Sequence, residues 1–273
     1  MGLAGVVLAA GAGTRLWPLT RERPKAMCPV GGTPLVDLAL DRLRPYVADG
    51  SAIAVNLHHG ADAIDAHIAP VVHRSWERPE PLGTAGALGA LVPWIDGRDV
   101  LVTNADAWIG STPEPDDAPP DLTGFVAGWD RERTRLLCVE SATRGDFGTF
   151  RYCGVALIPA STAARFSAVP SGLYEVSWRA EWTAGRLDLV GTDAAFIDCG
   201  TPADYLAANL AASGGESVVA PAAAVGVGAR IVRSVVWPQA EVAAGEVLVD
   251  AIRTPAATVL VRSSPTGTTT LGG

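Results

Sequence analysis

Residues 3–32 read LAGVVLAAGAGTRLWPLTRERPKAMCPVGG. The run from Leu3 to Ala9 is apolar and has the length of a buried strand rather than a helix. A glycine-rich turn, Gly11-Ala12-Gly13-Thr14-Arg15, follows at once. Small residues there let main-chain N–H groups approach an anion, and Gly11 and Gly13 tolerate positive φ. Arg15 lies in this turn, and Lys25 follows Pro24 ahead of a second loop containing Pro29, Gly31 and Gly32. A buried strand that delivers a flexible loop with two cations suits a polyphosphate. Lys25 is also the one lysine among 21 lysines and arginines. A compact ammonium can follow a phosphate through a reaction in a way a planar guanidinium cannot.

Two familiar phosphate motifs fail on this stretch. The dinucleotide fingerprint needs a third glycine where Leu16 stands, and no Gly-Lys-Ser/Thr triplet supplies a P-loop. The stretch instead resembles the signature of the nucleotidyltransferases that make nucleotide sugars, G-x-G-x-R-L-x-P-L-T, then P-K, then P-V. The matching residues are Gly11, Gly13, Arg15, Leu16, Pro18, Leu19, Thr20, Pro24, Lys25, Pro29 and Val30. The resemblance implies that Arg15 holds a leaving pyrophosphate and Lys25 the α-phosphate. It also implies nucleotide contacts at Leu8, Ala9, Gly11, Gly13 and Thr14.

At 273 residues the chain can bury a substantial core, and its longest apolar runs fall far short of a membrane span. Met1-Gly2 leads straight into the first strand, without a basic region and cleavable apolar segment. Cys28, Cys138, Cys153 and Cys199 are scattered without CxxC or zinc spacing, so reduced thiols in a cytoplasmic protein are expected. A formal charge of −8 argues against a broad nucleic-acid surface. An anionic substrate must then meet a local cationic patch, with a metal ion to help.

Along the chain, residues 34–44 show helical spacing, Ser51 to Leu57 a second apolar strand, and Gly60 to Ile68 a helix stopped by Pro70. Val71 to Glu77 is a third, more polar strand. The alternation predicts an α/β fold: a Rossmann-like, doubly wound, mostly parallel sheet with ligands beyond the carboxyl ends of its strands. His58 and His59 point to opposite sides if extended, which leaves one to close a strand end and neither to pair on a metal. In Glu80-Pro81-Leu82-Gly83-Thr84-Ala85-Gly86, Thr84 can cap a small-residue helix, while Gly83 and Gly86 can admit a flat ligand. Relatives in the resembled family line the base pocket with a similar segment, which implicates Gly83 and Thr84.

The strand Asp99 to Thr103 ends Asn104-Ala105-Asp106, and a later strand delivers Asp198 ahead of Gly200-Thr201-Pro202, a turn that opens a helix. In the resembled family the corresponding aspartates, here Asp106 and Asp198, bind magnesium; two carboxylates plus water and phosphate oxygens suit that ion. Residues 111–121 read as an exposed loop, and strands are expected around 122–128, 135–140 and 149–158, followed by an apolar-faced segment from Gly172 to Ala184. There the resemblance implies a sugar pocket with Gly154 and a buried Glu175. The family's Glu-Lys-Pro segment, whose lysine holds the sugar phosphate, has no counterpart. Arg144 or Arg151 is left to supply that charge.

Beyond Ser213-Gly214-Gly215 the pattern changes. Val225, Ile231, Val236, Val242 and Leu248 recur about every six residues, the spacing of a short left-handed parallel β-helix. The expected organisation is a catalytic domain over 1–213, a β-helix-like segment over 214–262 and a disordered tail over 263–273. The stub's open edge predicts packing against the catalytic domain or a second copy. The function implied is transfer of a nucleotide from a triphosphate, GTP preferred, to a hexose or heptose 1-phosphate with loss of pyrophosphate. The alternatives are uridylyl transfer to an amino-sugar 1-phosphate, transfer to a cyclitol phosphate, and a catalytically silent nucleotide-sugar sensor on the same fold.

Overall fold

The computed structural model describes residues 2–110, 121–141, 143 and 145–261. The first half runs β1 (Leu3–Leu8), a small hairpin β2 (Pro29–Val30) and β3 (Thr33–Pro34), α1 (Leu35–Leu43), β4 (Ile53–Leu57), α2 (Ala61–His67), β5 (His73–Trp76), α3 (Gly83–Ile95), β6 (Asp99–Asn104) and β7 (Ala107–Gly110). It continues with α4 (Thr123–Ala127), β8 (Arg135–Glu140), β9 (Phe150–Ile158) and α5 (Ala160–Ala163). A π-helical turn over Tyr174–Trp178 then leads into α6 (Arg179–Thr183), β10 (Asp188–Gly191), β11 (Ala195–Asp198) and α7 (Pro202–Ala212).

Seven strands form one sheet in the order β10-β8-β9-β6-β1-β4-β5. β5, β4, β1 and β6 run parallel, β9 runs against both its neighbours, and β8 and β10 are parallel to each other. The expected mostly parallel α/β sheet is therefore present, with one reversed strand inside it.

Alternation along the strands explains why helices cover both faces. Val7, Leu101 and Val155 point into a core with Val36, Leu40 and Leu43 of α1. Val6, Val100, Val102 and Ala156 point into a second core with Leu88, Leu91 and Ile95 of α3. Each buried aliphatic side chain stabilises the fold by about 1.5–3 kcal/mol, so neither face can be left to water. A separate two-stranded ribbon pairs β7 antiparallel with β11, Ala107 opposite Asp198.

Several expectations are corrected. Residues 122–128, expected as a strand, form α4: Asp121 accepts from the Thr123 amide at 2.8 Å, and Leu122 and Phe125 are buried at helical spacing. In so short a run, an i, i+3 apolar pair imitates alternation. Thr84 does not cap α3; its hydroxyl accepts from the Leu173 amide at 2.8 Å. The helix face beside Gly86 is covered by the chain at 167–171, with the Ala85 amide bonded to the Ser171 carbonyl at 3.0 Å. Most of the 111–121 loop, Arg144 and the 263–273 tail lie outside the described residues.

After α7 come eight short strands: β12 (Val218–Val219), β13 (Ala224–Val225), β14 (Arg230–Val232), β15 (Val235–Val236), β16 (Glu241–Val242), β17 (Val247–Val249), β18 (Ala251–Arg253) and β19 (Thr258–Leu260). β12, β15 and β18 stack in parallel, as do β13 with β16 and β14 with β17. Hydrogen bonds link residues 17 apart, Ala251 to Ser234 and Ser234 to Ser217, so each circuit carries three short sides. Val236, Val242 and Leu248 fill its interior, and β19 turns back against β18. The side formed by β12, β15 and β18 packs on the preceding α/β part, where Trp237 is fully buried with Leu16, Leu19, Val30 and Tyr205.

Candidate active site

β1 ends between two asparagines, since Leu8 lies in register with Asn56 of β4 and Asn104 of β6. Parallel pairing brings those strand ends to one edge of the sheet. The cleft there, about 320 Å³, is lined by Leu8, Gly11 and Ala12 from the first loop, Asn56 and His59, Gly83 and Thr84 at the start of α3, and Asn104 and Asp106. Segments read separately in the sequence thus converge on one pocket.

Asn56 explains how the first loop is held. Its Oδ1 accepts from the Ala9 amide at 2.6 Å, and its Nδ2 donates to Glu77 Oε1 at 2.8 Å. Glu77 Oε2 in turn accepts from the Leu82 amide at 2.7 Å, just before Gly83. Glu77 is 1% exposed, so this carboxylate acts as a fully bonded internal strut. The sequence reading missed both residues; an asparagine closing an otherwise apolar strand was the available signal. His58 closes the strand end as expected, its Nδ1 donating to the Glu77 carbonyl at 2.9 Å. His59 faces the cleft, and burial, with His58 alongside, pushes its pKa down.

The turn tightens on Lys25. Gly13 has φ +62, and a Cβ there would meet Thr20 Cγ2 at 2.8 Å and Lys25 Cβ at 2.9 Å. Only glycine satisfies both the backbone and the space. Thr14 and Arg15 are exposed beyond it on a 3₁₀ turn. The Lys25 side chain is only 9% exposed, and its ammonium reaches Asp106 Oδ2 at 2.6 Å and Asp198 Oδ1 at 3.7 Å. Arg15 Nη2 stands 3.8 Å from Asp198 Oδ2. Two carboxylates and two cations therefore meet at the cleft mouth, in a chain whose net charge is −8. The carboxylates are locked by the β7–β11 ribbon, in which the Cys199 amide also donates to the Asp106 carbonyl at 3.0 Å.

The residues implicated in sugar binding divide. Gly154, at φ +80 on β9, lies against the same corner, where a Cβ would meet Ala107 Cβ at 2.9 Å and Asn104 Cβ at 3.2 Å. Glu175, expected to be buried, is exposed on the π-helical turn beside Gly172 and lines a shallow depression with Arg179 and Thr183, not the cleft. The first turn of that helix projects it outward. Arg151 stacks over the Phe196 ring at 5.0 Å, on the strand that carries Asp198.

The family model described as nucleotidyl transferase matches residues 4–117, which carry the first loop, the cleft and Asp106. The N-acetylmuramate alpha-1-phosphate uridylyltransferase of Caulobacter vibrioides is 35% identical over 170 residues, 59% of this chain and 66% of that protein. A protein of the same description from Neisseria meningitidis is 34% identical over 113 residues, 38% of this chain. The chain spans 66% and 47% of the lengths of these two relatives. In fold, the mannose-1-phosphate geranyltransferase of Thermus thermophilus superposes with a TM-score of 0.70 at 20% identity, covering 96% of this chain and 95% of that one. With the matched signature folded around a cleft that gathers Lys25 and Asp106, residues 4–117 are similar to the nucleotidyl transferase family.

Proposed function

We propose that the protein transfers a nucleotidyl group from a nucleoside triphosphate to the phosphate of a sugar 1-phosphate and releases pyrophosphate. The observation that carries this reading is the single ammonium of Lys25 between Asp106 and Asp198, at the mouth of a cleft lined by the first loop. A sugar phosphate oxygen is already anionic near neutral pH, so in-line attack on the α-phosphorus needs no general base. Catalysis then rests on alignment and charge neutralisation. Lys25 stabilises charge at the α-phosphate, the amides at Gly11 and Gly13 cradle the oxygens, and the exposed Arg15 swings onto the leaving pyrophosphate. Leu8, Ala9 and Thr14 frame the nucleotide, Gly83 and Thr84 its base, and Gly154 the sugar, while Glu175 lies outside the cleft. Arg151 supplies the positive charge that the missing lysine would otherwise bring.

Asp106 and Asp198 fit a magnesium ion. They are hard oxygen donors, both turned towards the Lys25 ammonium and about a third exposed, which leaves the remaining positions around the ion to water and phosphate oxygens. When bound, the ion would neutralise phosphate charge. We also read the circuits after α7 as a short left-handed β-helix.

For the substrate, the two uridylyltransferase relatives favour UTP and an amino-sugar 1-phosphate over the GTP expected from the Glu80–Gly86 segment. The test is a matrix of triphosphates against N-acetylmuramate, N-acetylhexosamine, hexose and heptose 1-phosphates, with pyrophosphate release and product mass as readouts. UTP with an N-acetylated amino-sugar 1-phosphate should react fastest. Guanylyl transfer to a hexose or heptose would overturn the substrate assignment alone. No pyrophosphate from any pair would overturn the enzymatic reading in favour of a silent sensor.

A further inference from the structure

Buried in α1, beneath the active-site corner, is one guanidinium. The inward positions of α1 are aliphatic, Leu35, Val36, Ala39, Leu40 and Leu43, except for Arg42, which is 1% exposed. Its Nη1 donates to Thr103 Oγ1 at 2.6 Å and its Nη2 to the Ala107 carbonyl at 2.7 Å. These partners bracket Asp106: Thr103 is in the strand leading into the Asn104–Asp106 turn, and Ala107 begins the strand leaving it. Ala107 is also the register partner of Asp198. One planar fork thus ties the ends of the Asp106 turn together and holds the carbonyl across from Asp198.

Stability alone does not account for this arginine. Its Nε is buried without a hydrogen-bond partner among the described residues. An unpaired buried donor is costly, and an apolar side chain of similar volume is usually tolerated as well or better at such a position. Burial pulls the Arg42 pKa down to about 10, with Tyr152 and Asp106 as the leading opposing influences, so the group stays charged at neutral pH.

We propose that Arg42 is a positioning residue that sets the separation of Asp106 and Asp198, and hence the affinity of the carboxylate pair for a divalent cation. The proposal rests on the reading that these aspartates hold the metal. Arg42 touches neither substrate nor ion; it acts through the turn and the ribbon. A lysine in its place has one nitrogen and cannot span Thr103 Oγ1 and the Ala107 carbonyl together.

The test is Mn2+ binding followed by electron paramagnetic resonance in the full chain, with a non-hydrolysable UTP analogue present, for wild type, Arg42→Lys, Arg42→Met, Thr103→Val and Asp106→Asn. Circular dichroism and thermal midpoints report folding. Folded Arg42→Lys and Arg42→Met should bind Mn2+ about 10–100-fold more weakly, as removals of outer-shell supports do. Their kcat should fall while the triphosphate KM stays within a few-fold of wild type. Thr103→Val, which removes one bond of the two and keeps the charge, should show a smaller loss in the same direction. Wild-type Mn2+ affinity in folded Arg42→Lys would overturn the proposal while leaving the carboxylate reading intact. If Arg42 variants do not fold, wild-type affinity in Thr103→Val would overturn it equally. Equal binding by wild type and Asp106→Asn would overturn both the proposal and the reading beneath it.

Discussion

Lys25 combines near-complete burial with two acidic neighbours that are each about a third exposed, 36% for Asp106 and 30% for Asp198. Water screens those carboxylates, so removing the ammonium should disturb stability far less than it disturbs chemistry. Lys25→Ala is expected to keep its thermal midpoint within a few degrees while losing about 2.7–4 kcal/mol of transition-state stabilisation, as for other preorganised stabilisers. The loss should fall on kcat more than on triphosphate binding, because phosphate charge accumulates at Lys25 only when the two substrates meet. Lys25→Arg should also lose most activity: Gly13 lies close against the stem, and a rigid fork cannot serve both phosphates. Steady-state kinetics decides the matter, and a fully active Lys25→Arg would show that the position asks only for charge. The cations were singled out by the first loop and its signature, the carboxylates by the family resemblance alone. Asn56, Glu77 and Arg42 were not, since their significance lies in partners 21 to 65 residues away.

At the scale of elements, the segment after α7 is more than an appendage. Trp237 Nε1 donates to Tyr205 Oη at 3.0 Å, and that hydroxyl donates to the Pro29 carbonyl. Arg23 stacks over the Trp237 ring at 4.2 Å, and Thr254 bonds Glu22. The circuits therefore grip both flanks of the Lys25 turn. Trp237→Ala should cost about 3–5 kcal/mol of stability, and deletion after Gly214 should lower the thermal midpoint and expose apolar surface. Differential scanning calorimetry and light scattering check both; an unchanged midpoint and size for the truncation would show the segment to be dispensable. The six-residue apolar recurrence marked inward positions at Val236, Val242 and Leu248 but not at Val225, which is exposed, while strand–helix alternation gave the main sheet. Their docking on the first loop was hidden, because an isolated tryptophan in a polar turn shows no periodicity. The strand that carries Asp198 was expected; its pairing with β7 was not, because each strand has four residues and the two lie far apart in the chain.

For the molecule as a whole, all four cysteines are buried and free. Burial pushes the thiols of Cys28, Cys138 and Cys153 up to about 12 from an ordinary value of 9.0, and Cys199 upward as well. At pH 8 native protein should be nearly inert to Ellman's reagent, and urea should release four thiols; rapid labelling without denaturant would contradict the packing. The linked stability has a definite sign. It is fully present below pH 9, where both states hold the protons, and is lost as pH rises towards 12, because the unfolded chain ionises first. The loss amounts to about 1.4 kcal/mol per thiol per pH unit, so urea midpoints should decline across that window. No helix among the described residues is long and apolar enough to cross a membrane. The grip of Trp237 and Thr254 on the Lys25 turn has a further consequence for the order of synthesis. The first loop leaves the ribosome well before Trp237 and Thr254 are made, Thr254 lying 232 residues beyond Glu22. Through that interval a growing chain carries the whole signature, held by Asn56 and Glu77 alone, before Trp237 and Thr254 exist to pack on its flanks.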